Sequence, residues 1–313
     1  MSGKVCVFGS FNFDMVARVD RFPVPGESLV ACGSMTSAGG KGANQATAAL
    51  KAGANVHYID KIGNDTFGHF ARRYLKGVGF NAVTLLVAEE IPTGNALIYV
   101  AGNDAENMIA VDPGANMTVT DDEIAGCIPA IGCADVVLVQ LENNLSAIEQ
   151  VIDAGKQAGA LVILNPAPWQ PVEHALLRKV DLLTPNATEA GLMTGRRVDS
   201  LTAAAEAADV LHAQGARNVI ITLGASGALL SEHGVKSPIP CFPSHPRDTT
   251  GAGDAFNGAL AARLACGEPL QAAARFAAAY AAVSVEKQGA SSLPEYLEAQ
   301  ERLLRAAADY EMA

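Results

Sequence analysis

The sequence predicts a three-layer αβα sandwich, with a mostly parallel central sheet between helices and a small β-sheet lid. Short apolar runs alternate with helical patterns along most of the 313 residues, as expected for right-handed βαβ units. The apolar runs at 136–139 and 219–222 are continuous rather than alternating, which is typical of strands buried on both faces. Two helix-free segments, about 13–38 and 93–114, carry strand patterns, and we interpret them as a lid inserted into one domain that spans residues 1–313.

The individual elements follow in order along the chain. Apolar runs predict strands at 5–8, 56–62, 136–141, 161–164, 182–184 and 219–223, and helical spacing predicts helices at 44–52 and 67–77. Residues Thr120 to Glu123 have the form of a capping box that opens another helix. In the second lid segment, residues 95–111 predict a strand, a turn at 102–104 and a second strand. From Gly251 onward the chain is rich in Ala and predicts helices, interrupted at Gly267 and at 289–294.

Composition excludes several classes of function. The net charge is −11, with 22 basic and 33 acidic residues, which argues against a nucleic-acid partner bound through a broad basic surface. The longest apolar candidate, residues 276–285, has ten residues, well short of the roughly 20 that a membrane span needs. The six cysteines form no CxxC pair and are interpreted as reduced core thiols. We therefore expect a cytoplasmic protein without membrane contact.

Polar side chains follow the predicted strands at the point where each strand ends. Asn12 and Asp14 come after the first strand, Glu142 after the run at 136–141, and Asn186 with Glu189 after the run at 182–184. Ligands of open α/β sheets bind outside the carboxyl ends of the strands, so these side chains predict a site on one rim. The alternative for each residue alone is a polar cap on a strand.

The most specific segment is Asp-Thr-Thr-Gly-Ala-Gly-Asp at 248–254, which leads into a helix. Small residues let the backbone turn closely, and the free N–H groups and dipole of the following helix create an anion site. Asp254 then lies within reach of a phosphoryl group held there, and it is a candidate base for an attacking hydroxyl. The alternative is a carboxylate that only stabilises the helix N-terminus.

A second glycine cluster, Gly-Gly-Lys-Gly-Ala-Asn at 39–44, also opens a predicted helix. It is not a Walker A loop, because Gly42 stands where Ser or Thr would bind magnesium. Backbone amides, Lys41 and Asn44 are suited to bind the hydroxyls of a polyol. The alternative is a turn with a helix cap.

Together these segments resemble the ribokinase family of carbohydrate kinases, also called the PfkB family. The resemblance spans nearly the whole chain and is carried by residues 9–14, 39–44, 186–189, 222–227 and 248–254. It is closest to the family members that phosphorylate ribose. It implies a ribokinase-like fold and an ATP-dependent transfer of the γ-phosphoryl group to a primary hydroxyl of a small sugar. The reaction that it implies first is the conversion of D-ribose to ribose 5-phosphate.

The resemblance also implies roles for individual residues. Asp254 would be the base, in an anion hole formed by the amides of Gly251, Ala252 and Gly253. The sugar would be held by Asn12, Asp14, Gly40, Lys41, Gly42, Ala43, Asn44, Glu142 and Asp254. The nucleotide ATP would be bound by Asn186, Glu189, Thr222, Leu223, Gly224, Ala225, Ser226, Gly227, Gly253 and Ala278.

Two bound cations and a partner are implied as well. Asn186 and Glu189 would organise Mg²⁺ and phosphate through water. A monovalent cation, K⁺, would be held by Asp248, Thr250, Ser284, Lys287, Gly289 and Ser292, several of them through backbone carbonyls. The lid would cover the sugar and form a homodimer contact.

One departure from the family pattern concerns the acceptor sugar. Phe13 stands between Asn12 and Asp14, where a small residue is common, and it predicts a narrowed or reshaped sugar pocket. A kinase of another small sugar or a nucleoside, such as deoxyribose or a ketohexose, is therefore the alternative on the same fold. A sugar- or nucleotide-binding regulator without catalysis is the alternative from another class.

Overall fold

The protein was analysed as a computed structural model that describes residues 2–102 and 106–311. Its strands are β1 (Lys4–Phe8), β2 (Asn12–Val19), β3 (Gly33–Gly39), β4 (Asn55–Gly63), β5 (Ala82–Ala88), β6 (Asn95–Ala101), β7 (Glu106–Asp112), β8 (Val136–Val139), β9 (Leu161–Leu164), β10 (Leu182–Leu183), β11 (Asn218–Thr222), β12 (Ala228–Glu232) and β13 (Val235–Ile239). Its helices are α1 (Lys41–Lys51), α2 (Thr66–Val78), α3 (Asp121–Ile131), α4 (Leu145–Gln157), α5 (His174–Lys179), α6 (Ala187–Thr194), α7 (Leu201–Gln214), α8 (Ala252–Ala265), α9 (Leu270–Ser284) and α10 (Tyr296–Glu311).

The central sheet has the order β13-β12-β11-β10-β9-β8-β1-β4-β5. All neighbours from β11 to β5 are parallel, and β12 and β13 add an antiparallel edge. The predicted mostly parallel sheet is therefore confirmed. The two antiparallel strands are absent from the sequence-based prediction, because β13 is short and largely exposed and contains Pro238.

Two buried layers of side chains cover the two faces of this sheet. Val5 and Val7 of β1 point into a core shared with the Ala-rich helices α1, α8 and α9. Cys6 and Phe8 point the other way, into a core formed with α3, α4 and α7. Alternate residues of one strand are thus buried on opposite faces, which explains why the central strands are apolar at every position.

The lid is a four-stranded sheet in the order β3-β2-β6-β7. The outer pairs β2–β3 and β6–β7 are antiparallel, but the central pair β2–β6 is parallel. This follows from the connections: β2 continues from the carboxyl end of β1, and β6 follows β5, so both strands leave the central sheet at the same edge and run in one direction. Of the predicted turn at 102–104, residues 103 and 104 lie outside the described residues.

Helix starts agree with the local sequence. The Thr120 hydroxyl accepts from the Glu123 N–H while the Glu123 carboxylate accepts from the Thr120 N–H, which confirms the capping box at α3.

No described helix is both long enough and apolar enough to cross a membrane.

The cysteines depart in part from the prediction of core thiols. All six are free, as predicted, but only Cys6 and Cys127 are buried. Cys32, Cys133, Cys241 and Cys266 are exposed, because each lies in a loop or at the end of an element, where an apolar local sequence does not ensure burial.

Candidate active site

The site is built around the start of α8. Gly251 precedes the helix with φ of 77°, and a side chain there would collide with Ala290 at 2.8 Å, so the position needs glycine. The Ala252 N–H donates to the Thr249 carbonyl at 3.3 Å. The N–H groups of Gly251 and Gly253 have no acceptor among the described residues, and the space above Gly253 is open. This helix end can therefore receive an anion.

Asp254 lies in the first turn of α8 and is 7% exposed. Its Oδ1 accepts a hydrogen bond from Gln45 Nε2 at 2.9 Å, and its Oδ2 accepts one from Asn44 Nδ2 at 3.1 Å. Both donors belong to α1, so the two glycine-rich segments of the sequence meet at this carboxylate. A role limited to stabilising the helix N-terminus would not require two side-chain donors from another helix.

The glycines of the first cluster serve close packing. Gly40 has φ of 93°, and a side chain there would meet the Ser10 carbonyl at 2.6 Å; one at Gly42 would meet the Ser10 nitrogen at 2.3 Å. The Ala43 N–H already donates to the Ser10 carbonyl at 3.0 Å, and the Lys41 N–H donates to Glu142 Oε2 at 2.8 Å. The cluster therefore offers a ligand chiefly the side chains of Lys41 and Asn44.

Lys41 provides the positive charge of this region. The nearby Asp254 carboxylate raises the pKa of the Lys41 ammonium, against the effect of burial and with further help from Glu142 and Glu189. The charges of three carboxylates, on α8, in the loop after β8 and on α6, thus act on one ammonium group.

Asp14 and Glu142 are the two carboxyl groups of the rim that are predicted to hold the sugar. Burial, reinforced by Glu142, raises the pKa of the Asp14 carboxyl to about 7. Burial also raises the pKa of Glu142, although Lys41 and hydrogen bonds from the Ser10 hydroxyl and the Lys41 N–H oppose the shift. Asp14 packs directly on Gly39, where a side chain would lie 2.2 Å from its carboxylate. Partly buried carboxyl groups of this kind can accept hydrogen bonds from the hydroxyls of a polyol.

Asn12 is held in a defined orientation by a residue that sequence reasoning missed. Asn116 Nδ2 donates to Asn12 Oδ1 at 3.0 Å and to the Phe11 carbonyl at 3.0 Å. With its oxygen engaged, Asn12 presents its Nδ2 group as the free donor. The sequence carries no signal for this contact beyond a Gly-Ala-Asn tripeptide at 114–116.

Phe13 faces away from the side chains predicted to hold the sugar, whereas the sequence-based expectation was that it narrows or reshapes their pocket. Its ring stacks on Phe67 with centroids 4.3 Å apart and meets Phe70 edge-on at 4.9 Å. Side chains alternate along a strand, so Phe13 faces α2 while Asn12 and Asp14 face the other way. Its bulk belongs to an aromatic cluster under the lid.

The predicted nucleotide loop lies beside the rim. A 3-10 turn over Gly224–Ser226 follows β11, and the Leu223 N–H donates to the Gly227 carbonyl at 2.8 Å to close the loop. Thr222 pairs with Asn186 as an isolated parallel bridge. The structure thus brings together the segments at 186–189 and 222–227. Ala278 is half-buried on α9, in a small cluster with Phe242.

Asn186 and Glu189 form a second capping box, at the start of α6. Asn186 Oδ1 accepts from the Glu189 N–H at 2.8 Å, and Glu189 Oε2 accepts from the Asn186 N–H at 2.8 Å. Burial raises the pKa of Glu189, against the hydrogen bond from Asn186 and the charge of Lys41. Its Oε1 has no donor among the described residues, so one carboxylate oxygen is available at the rim.

The residues predicted to hold a monovalent cation lie on two adjoining loops. Asp248 Oδ1 accepts from the Thr250 N–H at 2.9 Å, and its Oδ2 accepts from the Gly289 N–H at 2.9 Å. Partial burial would raise the pKa of Asp248, but the hydrogen bonds from Thr250 and Gly289 outweigh it and lower the pKa. The Ser292 N–H donates to the Gly289 carbonyl at 3.0 Å.

Ser284 and Lys287 are the remaining two residues of that predicted cation site. The Ser284 carbonyl accepts from the Lys287 N–H at 3.0 Å, and Lys287 Nζ pairs with Glu298 at 2.8 Å. Asp248 thus joins the loop before α8 to the loop after α9, whereas Ser284 and Lys287 bond to each other at the end of α9. No described group of three or more His, Cys, Asp or Glu side chains is arranged to hold a metal ion.

Comparisons with known proteins agree with this geometry. A family model described as pfkB family carbohydrate kinase matches residues 2–296. Ribokinase of Haemophilus influenzae is 39% identical over 295 residues, which cover 94% of this chain and 96% of that protein. Deoxyribokinase of Salmonella typhi is 34% identical over 292 residues, which cover 92% of this chain and 94% of that protein.

The structural comparison gives the same result. Ribokinase of Arabidopsis thaliana, solved in complex with ribose and ATP, superimposes with a TM-score of 0.88 at 31% identity, covering 97% of this chain and 99% of its own. A match of this extent includes the central sheet, the lid and both glycine-rich segments. The chain therefore belongs to the pfkB family of carbohydrate kinases, and it is a phosphotransferase that acts on a sugar.

Proposed function

We propose that this protein transfers the γ-phosphoryl group of ATP to the primary hydroxyl of a small sugar. The first candidate for this sugar is D-ribose, and the product would then be ribose 5-phosphate. One observation carries the proposal: Asp254, held by two amide donors, lies beside the open N–H groups of Gly251 and Gly253. In-line phosphoryl transfer needs a group that orients the hydroxyl and donors that stabilise the transferring anion. The Arabidopsis ribokinase solved with ribose and ATP supports this choice of acceptor and donor.

In the proposed reaction Asp254 accepts the proton of the sugar hydroxyl as its oxygen attacks the γ-phosphorus. A new oxygen–phosphorus bond forms, the bond between the γ-phosphorus and the β,γ-bridging oxygen breaks, and ADP leaves with that electron pair. The N–H groups at the start of α8 stabilise the charge on the transferring group. The sugar phosphate and ADP depart, and Asp254 releases its proton to solvent.

The sugar would lie between the rim and the lid. Asp14 and Glu142 supply acceptors, while Asn12, Lys41 and Asn44 supply donors for its hydroxyls. Closure of the lid over the sugar would exclude water, which otherwise competes with the sugar for the phosphoryl group. For ATP, the loop at 222–227 with Asn186 would follow the phosphates and ribose, and Ala278 would pack near the adenine.

Magnesium fits one side of this site. The open Oε1 of Glu189 is a hard oxygen ligand close to Lys41 and Asp254, and Mg²⁺ typically takes one or two carboxylates, water and substrate phosphates. Glu189 and Asn186 would hold the ion through water. When bound, Mg²⁺ neutralises charge on the phosphates.

A monovalent cation fits the loops that Asp248 joins. Its carboxylate is kept ionised by two backbone donors, and it would share the ion with Thr250, Ser284, Lys287, Gly289 and Ser292, several through carbonyl oxygens. These loops flank Gly251, so K⁺ bound there would add positive charge beside the proposed anion hole.

Substitution of Asp254 by Asn tests the proposal. The change preserves shape and removes the base, so we expect turnover to fall by about 10² to 10⁴-fold with little change in ATP binding. The assay couples ADP production from ribose and ATP to NADH oxidation. A matched control is Asp122→Asn, which also alters a first-turn acidic residue, on α3, far from the site. Near-normal turnover of Asp254→Asn would reject the assigned base.

Two alternatives are separated by the same assay. The 34% identity to a deoxyribokinase favours deoxyribose as the second candidate acceptor, so kcat/KM is compared across pentoses, deoxypentoses, ketohexoses and nucleosides. A clear preference for deoxyribose would replace ribose as the proposed acceptor and leave the proposed kinase activity unchanged. Binding of sugar and ATP without ADP production would support a regulator.

The lid is also the proposed contact between two copies of the chain. Apolar side chains on its strands are 40–55% exposed, namely Met35, Leu97, Tyr99, Met108, Ile109 and Val111, an unusual concentration for a free surface. A homodimer through the lid face that carries Asp14 would cover Met35, Ile109 and Val111, whereas Leu97, Tyr99 and Met108 lie on the opposite face. The cytoplasm is the proposed location, since six free thiols suit a reducing compartment.

A further inference from the structure

A closed ring of buried hydrogen bonds runs under the proposed base. Gln45 Nε2 donates both to Asp254 Oδ1 at 2.9 Å and to Asn165 Oδ1 at 3.0 Å. Asn165 Nδ2 donates to the Thr184 carbonyl at 2.9 Å, and the Thr184 hydroxyl donates to Asn257 Oδ1 at 2.6 Å. Asn257 Nδ2 returns to the Gly253 carbonyl at 2.9 Å. The ring begins and ends on the first turn of α8.

The direction of every amide in this ring is fixed by backbone carbonyls. The carbonyls of Thr184 and Gly253 only accept, so the groups that face them must be the NH₂ groups of Asn165 and Asn257. Asn165 therefore turns its oxygen toward Gln45, which must present its NH₂ group. The same NH₂ group then donates to Asp254.

The other end of Gln45 is held as firmly. Gln140 Nε2 donates to Gln45 Oε1 at 2.7 Å, and Gln45 is fully buried. All hydrogen-bonding groups of the Gln45 side chain are thus used within the protein, and none is left for a sugar. Asn44, by contrast, is 7% exposed and borders the rim.

We infer that Gln45 is a positioning residue for phosphoryl transfer: its NH₂ group fixes the orientation of the Asp254 carboxylate without contacting the substrates. The inference rests on the proposed role of Asp254 as base. A hydrogen bond from an NH₂ group to a carboxylate is charge-assisted, so it is short and directional. The ring gives it rigidity, because a turn of the Asp254 side chain would break the bond to Gln45.

The test is Gln45→Met, which keeps the length of the side chain and removes its donors. We expect kcat to fall by about 10 to 100-fold, as a misplaced reacting group costs, while KM for sugar and for ATP changes less than about threefold. A proportional rise of KM would assign Gln45 to substrate binding and overturn the inference. So would a kcat within about twofold of the wild type.

A second variant, Gln45→Glu, keeps the size and shape of the side chain and replaces only the NH₂ donor by an oxygen that faces Asp254 Oδ1 and Asn165 Oδ1. We expect kcat to fall at least as far as in Gln45→Met, again with little change in KM for sugar and for ATP. A kcat near that of the wild type would overturn the inference.

The control on the same helix is Thr47→Val. Thr47 is buried on α1 two residues after Gln45, on a different side of the helix, and its hydroxyl donates to the Ala43 carbonyl at 2.7 Å. We expect normal kcat, since Thr47 does not touch the ring. If Asp254→Asn does not reduce turnover, the proposed base is wrong. If Asp254→Asn reduces turnover but the Gln45 variants do not, only the positioning role of Gln45 is wrong.

Discussion

A carboxyl group that receives no well-formed hydrogen bond from the described residues lies inside the protein on β4. Asp60 has no exposed surface, and the Lys61 N–H, the Phe11 N–H and the Tyr58 hydroxyl oppose the effect of burial on its pKa only weakly. Tyr58, on the same face of the strand, donates its hydroxyl to the Ser10 carbonyl at 2.8 Å. Burial therefore dominates and raises the pKa of Asp60 to about 8.

This carboxyl should make stability depend on pH. Its folded pKa lies above its usual value of 3.8, so the folded state binds more protons, and stability present below about pH 4 is lost as pH rises toward 8. In Asp60→Asn this loss is absent. We expect urea unfolding to show that the free energy of unfolding of the variant, relative to that of the wild type, rises between pH 5 and 8. The rise should be up to about 1.4 kcal/mol per pH unit.

The control is Asp153→Asn, a half-buried residue of α4 that pairs with Lys179 near the surface. The free energy of unfolding of this control should differ little from that of the wild type, and by a nearly constant amount between pH 5 and 8. A pH-independent difference for Asp60→Asn would mean that Asp60 is ionised in the folded protein at pH 5.

At this scale the sequence identified candidate residues for the chemistry, and not how they are held. Asp254 and Glu142 were identifiable because they follow glycines or strand ends. Gln45 directly follows the glycine cluster at 39–44, but its partners Asn165 and Asp254 lie 120 and 209 positions away. Pairings over such separations depend on the tertiary fold and have no local signal.

Among the elements, the start of α2 also anchors the lid. Asp65 caps the helix by accepting from the Gly68 N–H at 2.7 Å, and it accepts from the Thr93 hydroxyl at 2.6 Å and the Thr93 N–H at 3.1 Å. Thr93 immediately precedes Gly94, which packs against Asn12 and Asn116. One carboxylate thus joins a helix of the main domain to the base of the lid.

Replacement of Asp65 by Ala should therefore affect both stability and sugar binding. We expect the free energy of unfolding to fall by about 2–4 kcal/mol, since a helix cap and two further bonds to a charged group are lost, and KM for the sugar to rise. The matched control is Ser200→Ala, which removes the cap of α7, bonded to the Ala203 N–H at 3.1 Å. It should cost about 1 kcal/mol and leave KM unchanged; an equal rise of KM in both variants would contradict an anchoring role.

Element prediction succeeded where the local pattern and the tertiary role coincide. The strand at 161–164 was predicted with its observed limits, because its residues are apolar and buried on both faces. The parallel pairing of β2 with β6 was not predictable, since strand direction in the lid depends on where both strands leave the central sheet. Likewise β13, with 70% exposure at Val235, shows no apolar pattern.

For the molecule as a whole, the acidity of −11 is compatible with an anionic substrate because positive potential is supplied locally. The sources are the Lys41 ammonium and the N–H groups at the start of α8, which lie at the carboxyl edge of the central sheet. The surrounding acidic surface does not need to attract ATP through a long-range field, since screening limits that field to about 8 Å at physiological salt.

The proposed homodimer is a property of the whole molecule and can be tested by disrupting the lid. Met35, Val16, Ile98 and Ile109 form one row across the four lid strands, on the face that also carries Asp14. Ile109 lies on the fully exposed edge strand β7 and is 54% exposed. A charge at this position should prevent a second copy from covering the row.

We expect sedimentation velocity to show a dimer for the wild type and a monomer for Ile109→Glu. Because the partner would brace the lid over the sugar, the monomer should also have a higher sugar KM with ATP binding unaffected. Val235→Glu is the control, since Val235 is an exposed apolar residue on the edge strand β13 of the central sheet, and it should remain dimeric. A dimer that survives Ile109→Glu but dissociates in Val235→Glu would move the interface from the lid to the edge of the central sheet.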